Sequence, residues 1–132
     1  MAETKIVGVW LYVTPRKVTD PANLIGAATI IVTEADKRKL GDSLMKVTIR
    51  VYDEDSISDD KLYEDSNFQL GPALLQIGPN TFGLQAIVSR STLENSEPPW
   101  EGSAELYFKV MASGGGVSTK WARSQTESVA FE

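Results

Sequence analysis

The chain has 132 residues, 42% of them hydrophobic and 23% charged, which is the balance of one globular domain rather than a disordered segment. It has neither cysteine nor histidine, so disulfides, thiolate zinc sites, cysteine nucleophiles and histidine-based acid–base catalysis are excluded. Its formal net charge is −5. No general basic field exists for nucleic acid, and no apolar run approaches the ~20 residues of a membrane span.

The longest apolar run, Ile6 to Val13, is read as a strand. Glu3 precedes it, and Pro15, Arg16 and Lys17 follow it with no small-residue cleavage site, which is not the pattern of a leader peptide. Cytoplasmic residence is the expectation. Trp10 in this run and Trp121 near the C-terminus are core candidates. Asp20-Pro21 marks a turn, and Ala27–Val32 is rich in β-formers. Residues Thr33–Leu40 read as the single short helix, with Thr33 as cap, Asp36 three residues on and Gly41 as stop. Lys37, Arg38 and Lys39 in it form a solvated corner.

Met45–Tyr52 alternates strictly: Met45, Val47, Ile49 and Val51 share one face of a strand. It runs into DEDSISDDKLYED, residues 53–65, where seven of thirteen side chains are carboxylates and Lys61 is the one cation. This segment has a net charge of −6; the remaining residues sum to +1. Two carboxylates about 5 Å apart repel by roughly 1 kcal/mol in water and about 3 kcal/mol at an effective dielectric near 20. A solvated turn tolerates this, and so does a cation site. Asp53 and Asp55 stand i, i+2 on an extended backbone, which places both carboxylates on one side. Asp59 and Asp60 follow after a short turn. Calcium takes six to eight oxygen ligands of this kind. The EF-hand pattern is excluded, because Ile57 and Ser58 occupy its fifth and sixth positions.

The stretch VTIRVYDEDSISDDKLYEDSNFQL, residues 47–70, resembles the strand–loop–strand of C2 domains, in which a V-x-D-x-D strand end opens a calcium loop. The resemblance implies calcium bound by Asp53, Asp55 and one of Asp59 or Asp60. Asp20 in Thr19-Asp20-Pro21 is implied as a further ligand, and anionic lipid headgroups or a protein as the partner. Tyr63 stands where that pattern has glycine.

Phe68–Ile77 supplies one or two short strands interrupted by Gly71-Pro72, and Thr81–Ser89 another. Gly78-Pro79-Asn80 reads as a turn. Residues 90–103 read as the longest loop; it presents Trp100 between prolines and a glycine, a placement suited to stacking on a sugar, to anchoring a partner or to folding back onto the edge of the core. Ala104–Met111 alternates again. Gly114–Gly116 reads as a hairpin turn, not a phosphate loop, because the Walker spacing is unmet. The tail, Val117 to Phe131, adds two more strands, with Phe131 a core candidate.

The sum is one domain over residues 1–132: an antiparallel all-β sandwich of seven to eight strands, each with one polar face, and at most one short helix. Tyr12, Tyr52 and Tyr107 fall on alternating positions that line a wet sheet face suited to protein contact. The expected function is a non-catalytic interaction module, holding a divalent cation, calcium, on its acidic loop or meeting a basic partner. Two alternatives stand beside it. One is an assembly protein that self-associates through a sheet face or edge; the other is a small carbohydrate-binding module using Trp100.

Overall fold

Period-two alternation in the sequence becomes two antiparallel sheets in a computed structural model of the chain, which describes residues 3–13, 21–54, 59–95 and 102–130. The first sheet has three strands, β1 (Lys5–Val13), β2 (Ala22–Val32) and β5 (Gly78–Val88), in the order β1-β2-β5. The second is built on β4 (Asp60–Leu70), β3 (Met45–Asp53) and β6 (Ser103–Gly114), in the order β4-β3-β6. Three short strands pair with β6: β7 (Val117–Ser118), β8 (Ala122–Arg123) and β9 (Glu127–Ala130). The sandwich is as expected, and the tail supplies three short strands rather than two.

The core lies between the sheets. Alternate residues of β2 and β5, among them Leu24, Ile30, Leu84 and Ala86, face Val47 and Val51 of β3 and Leu106, Phe108 and Val110 of β6. Phe108 is fully buried, and its ring lies against Gly26 on β2. A Cβ at position 26 would come within 2.6 Å of that ring and 2.1 Å of the Trp10 carbonyl, so the close approach of the sheets requires glycine there.

Turn chemistry behaves as its residues dictate. Gly115 and Gly116, with φ of 57° and 82°, form the two-residue loop between Gly114 and Val117, the mirror-image turn that matches strand twist. Helix α1 (Glu34–Leu40) starts at Thr33, whose hydroxyl accepts from the Asp36 N–H at 3.2 Å, and ends at Gly41. The Asp36 carboxylate takes no part in a reciprocal box. It accepts instead from the Thr4 N–H at 3.3 Å, while the Thr33 N–H donates to the Thr4 hydroxyl at 3.2 Å. The segment leading into β1 thus completes the cap, and hydrogen bonding from Thr4, its hydroxyl first and its N–H after, holds the Asp36 carboxyl below its ordinary range. In the basic corner Lys37 donates to the Pro72 carbonyl at 2.6 Å and Arg38 pairs with Glu34.

Three local readings change. Gly78-Pro79-Asn80 is not a separate turn but the start of β5, an edge strand, where a proline is tolerated. A helical turn, α2 (Arg90–Asn95), occupies the beginning of the stretch read as loop. Neither Trp10 nor Trp121 is a core residue: Trp10 is 41% exposed with its ring over Gly8, and Trp121 is half-buried on the outside of the second sheet. In β1 both alternating sets are apolar, so periodicity could not say that Val9 and Leu11 would take the interior. No helix of the described residues is long and apolar enough to cross a membrane.

Candidate functional site

The acidic strand end is a clamp as far as the described residues show it. Asp53 closes β3 opposite Asp60 in register, but the two side chains have different fates. Asp53 is only 1% exposed, and its Oδ1 accepts from the Glu105 N–H at 3.3 Å. Asp60 is exposed. Asp59 accepts from the Tyr107 hydroxyl at 2.5 Å. Burial, and then the hydrogen bond to Asp59, pushes that phenol up to about 12. Next in sequence, Glu54 accepts from Arg123 at 3.2 Å and from the Thr126 hydroxyl, while its own N–H donates to the Glu105 carbonyl at 2.7 Å. The self-repulsion of this end is therefore offset from within by an arginine of β8, a phenol and a backbone N–H. Asp55, Asp20 and Trp100 lie outside the described residues. Among the described residues no three carboxylates are grouped to hold a metal.

The arginine was not legible in advance, because it arrives seventy residues later in sequence. It also belongs to a ladder on the outer face of the second sheet. Arg123 lies 3.6 Å over the Tyr107 ring; Tyr107 stacks on Tyr52, its register partner, with centroids 5.4 Å apart and planes 11° from parallel. Arg50, two residues before Tyr52 on the same face of β3, sits 4.3 Å over Trp121 and donates to Glu64 at 2.5 Å. Lys109 lies 5.7 Å from the Tyr52 ring centroid and 6.0 Å from that of Trp121. Two of the three tyrosines expected to share a face do so. Their rings are covered by one another and by cations, so this face is a finished surface rather than an open platform.

Tyr12 lies on the other sheet, and there the surface is of a different kind. The strands of the first sheet contain one charged residue, Lys5 at the start of β1. Their outward positions include Trp10, Tyr12 (54% exposed), Ile25 (45%) and Ile87 (55%). Register places Tyr12 beside Ile25, and Ile25 beside Gln85. Trp10, Ala27 and Gly83 form the next row, with open space above Gly83. The polar outer face expected of every strand is missing from β1. Among the described residues the other exposed large apolar side chains, apart from Val7 on β1, are Leu44, Leu74 and Ile77, in the connections before β3 and β5.

Beside β5 a hollow of about 630 Å³ opens between the edges of the two sheets, bordered by Ile25, Gly83, Leu84 and Gln85 on one side and Asp65 and Phe68 on the other. Phe68 of β4 and Phe82 of β5 stack across the gap with centroids 5.7 Å apart. Ile25, Gly83 and Ile87, which compose this surface, carry no sequence motif. The signal that marks them is a near-lack of charge in β1, β2 and β5, visible only once those segments, the last set apart in sequence by β3 and β4, are known to form one sheet. No protein-family model matches this sequence, and comparison with curated proteins gives no match.

Proposed function

We propose that the protein is a non-catalytic assembly module whose three-stranded sheet associates with a second copy of the chain. The observation that carries this reading is the outward face of that sheet: a tryptophan, a tyrosine and two isoleucines, each more than two-fifths exposed, with no charge among the strand residues beyond Lys5. Contiguous exposed apolar surface is unfavourable in water, and aromatic side chains are enriched where protein surfaces meet. A patch that meets its own copy around a two-fold axis must be self-complementary, and an uncharged face satisfies this without like charges in contact. Among the described residues, the carboxylates of the acidic segment lie on or beside β3 and β4 of the other sheet. Light scattering coupled to size exclusion, run from low to high micromolar protein, tests the reading. A mass rising above the 14.4 kDa of one chain supports it, and 14.4 kDa throughout removes it.

A cation at the mouth of β3 and β4 is a separate proposal, resting on Asp53 and Asp60 standing opposite in register. A cation that binds only the native state raises the melting midpoint by mass action. Millimolar calcium that raises it in the native chain and not in D60N supports the site; an unchanged midpoint removes it.

A further inference from the structure

Four strand edges of the described sandwich differ in how they resist pairing with another strand. Exposed edges invite strand addition, and proteins guard them with charge, bulges or brevity. The β1 edge has Lys5 and a register shift between Ile6 and Gly8. The β4 edge has Asp60, Lys61, Glu64 and Asp65, together with two register shifts. The far edge of the second sheet is made of strands of two to four residues. β5 has none of these devices. It is eleven residues long and uncharged, it pairs with β2 in unbroken register from Ala22–Val88 to Val32–Gly78, and among the described residues it has a strand neighbour on that side only.

Resting on the self-association proposed above, we infer that β5 is the contact: two copies pair β5 with β5 antiparallel about a two-fold axis through Gly83, joining two three-stranded sheets into one of six. Gly83 is the middle residue of β5, so this register uses the whole strand. It sets Phe82 against Leu84, Thr81 against Gln85, Asn80 against Ala86 and Pro79 against Ile87 of the other copy. None of these pairs contains a charge, and each falls on one face of the sheet, the Phe82–Leu84 pair inward and the Thr81–Gln85 pair outward. The hollow beside Gly83 and Leu84 leaves room for the inward side chains of the added strand. Pairing of this kind is isologous, closes at two copies and continues the apolar outer face across both. The alternative, face-to-face packing of the two outer surfaces, would centre on β2 instead.

The absence of cysteine makes the test clean. G83C introduces a Cβ that meets nothing within 4 Å, at a position where φ is not positive. Directly opposed residues of an antiparallel pair have Cα atoms roughly 4.5–5.5 Å apart, within disulfide reach. Mild oxidation is expected to convert most of G83C to a covalent dimer while T29C, on the central strand of the same face, stays largely unlinked. In a second arm, T81K/Q85K sets lysine against lysine across the axis and returns the mass to that of one chain, whereas I25K keeps the dimer. Far-UV circular dichroism confirms that these exposed-site variants retain the fold. A native chain that is monomeric at every concentration defeats both the edge and the assembly reading. A dimer that survives T81K/Q85K, dissociates in I25K and cross-links through T29C rather than G83C leaves the assembly reading standing and overturns the edge.

Discussion

The two sheets share one core and turn opposite characters to water. On the second sheet each long strand has charges: Lys46 and Arg50 on β3, Lys61 and Glu64 on β4, Glu105 and Lys109 on β6. Arg50, Lys61, Lys109 and Arg123 there lie over aromatic rings or reach carboxylates, and the outward tyrosines are stacked. On the first sheet the outward residues are apolar or neutral and the largest are open. One surface has its partners within the chain, and the other lacks them. A sheet can be apolar on its inner face for folding alone, but an apolar outer face contributes nothing to folding that water does not oppose. The difference assigns stability to the interface between the sheets and association to the first sheet, whose uncharged edge is β5.

That division can be broken or sharpened by substitution. The largest effect belongs to the shared interior. F108A empties a fully buried site between the sheets, with an expected loss of about 3–5 kcal/mol of unfolding free energy in a denaturant titration. G26A works on the same contact from the other side. Its Cβ forces the Phe108 ring and the Trp10 carbonyl apart, and the expected cost is about 1–3 kcal/mol by the same measurement. A loss well under this range would mean that the sheets are less tightly set than the Gly26–Phe108 approach requires.

The outer ladder of the second sheet comes next. The Tyr107 phenol is held near 12 in the folded chain and titrates near 10 when unfolded. The folded state therefore binds this proton more tightly. The associated stability is fully present below about pH 10 and is lost as pH rises toward 12. Denaturation midpoints at about pH 9 and about pH 11 should fall further apart in the native chain than in Y107F, which has no proton to lose. R123A removes the cation over Tyr107 and the partner of Glu54 together; an exposed pair with a ring contact predicts a loss of about 1 kcal/mol. The smallest effect is on the first sheet's exterior. I25K should change monomer stability by less than about 0.5 kcal/mol, because the side chain it replaces is already 45% exposed. A cost of several kcal/mol there would show that the outer face takes part in folding after all.

How far these features could be read ahead differs residue by residue. Met45–Tyr52 and Ala104–Met111 announced their burial, because apolar and polar residues alternate without exception along one and nearly so along the other. Thr33 and Gly41 announced the helix, because their side-chain and backbone chemistry acts within a turn. Trp10 could not be placed, since β1 offers no polar set to mark its outside. Asp53 looked like a ligand because its neighbours in sequence are acids. What those neighbours could not show is that its buried Oδ1 accepts from the Glu105 N–H, fifty-two residues away.

What the sequence determined by itself is local: the alternating strands β3 and β6, the Gly115-Gly116 turn, the helix cap, the gathering of charge after β3, and the exclusion of cysteine and histidine chemistry. These follow from backbone preference and from forces that act within a few residues. Tertiary structure alone decided which strands share a sheet. That assignment placed Arg123 beside the acids, gave Tyr12, Tyr52 and Tyr107 their surfaces, and brought three segments whose one charge is Lys5 together with β5 at their edge. Pairing between strands is set by long-range burial and register, and a linear pattern of period two contains neither.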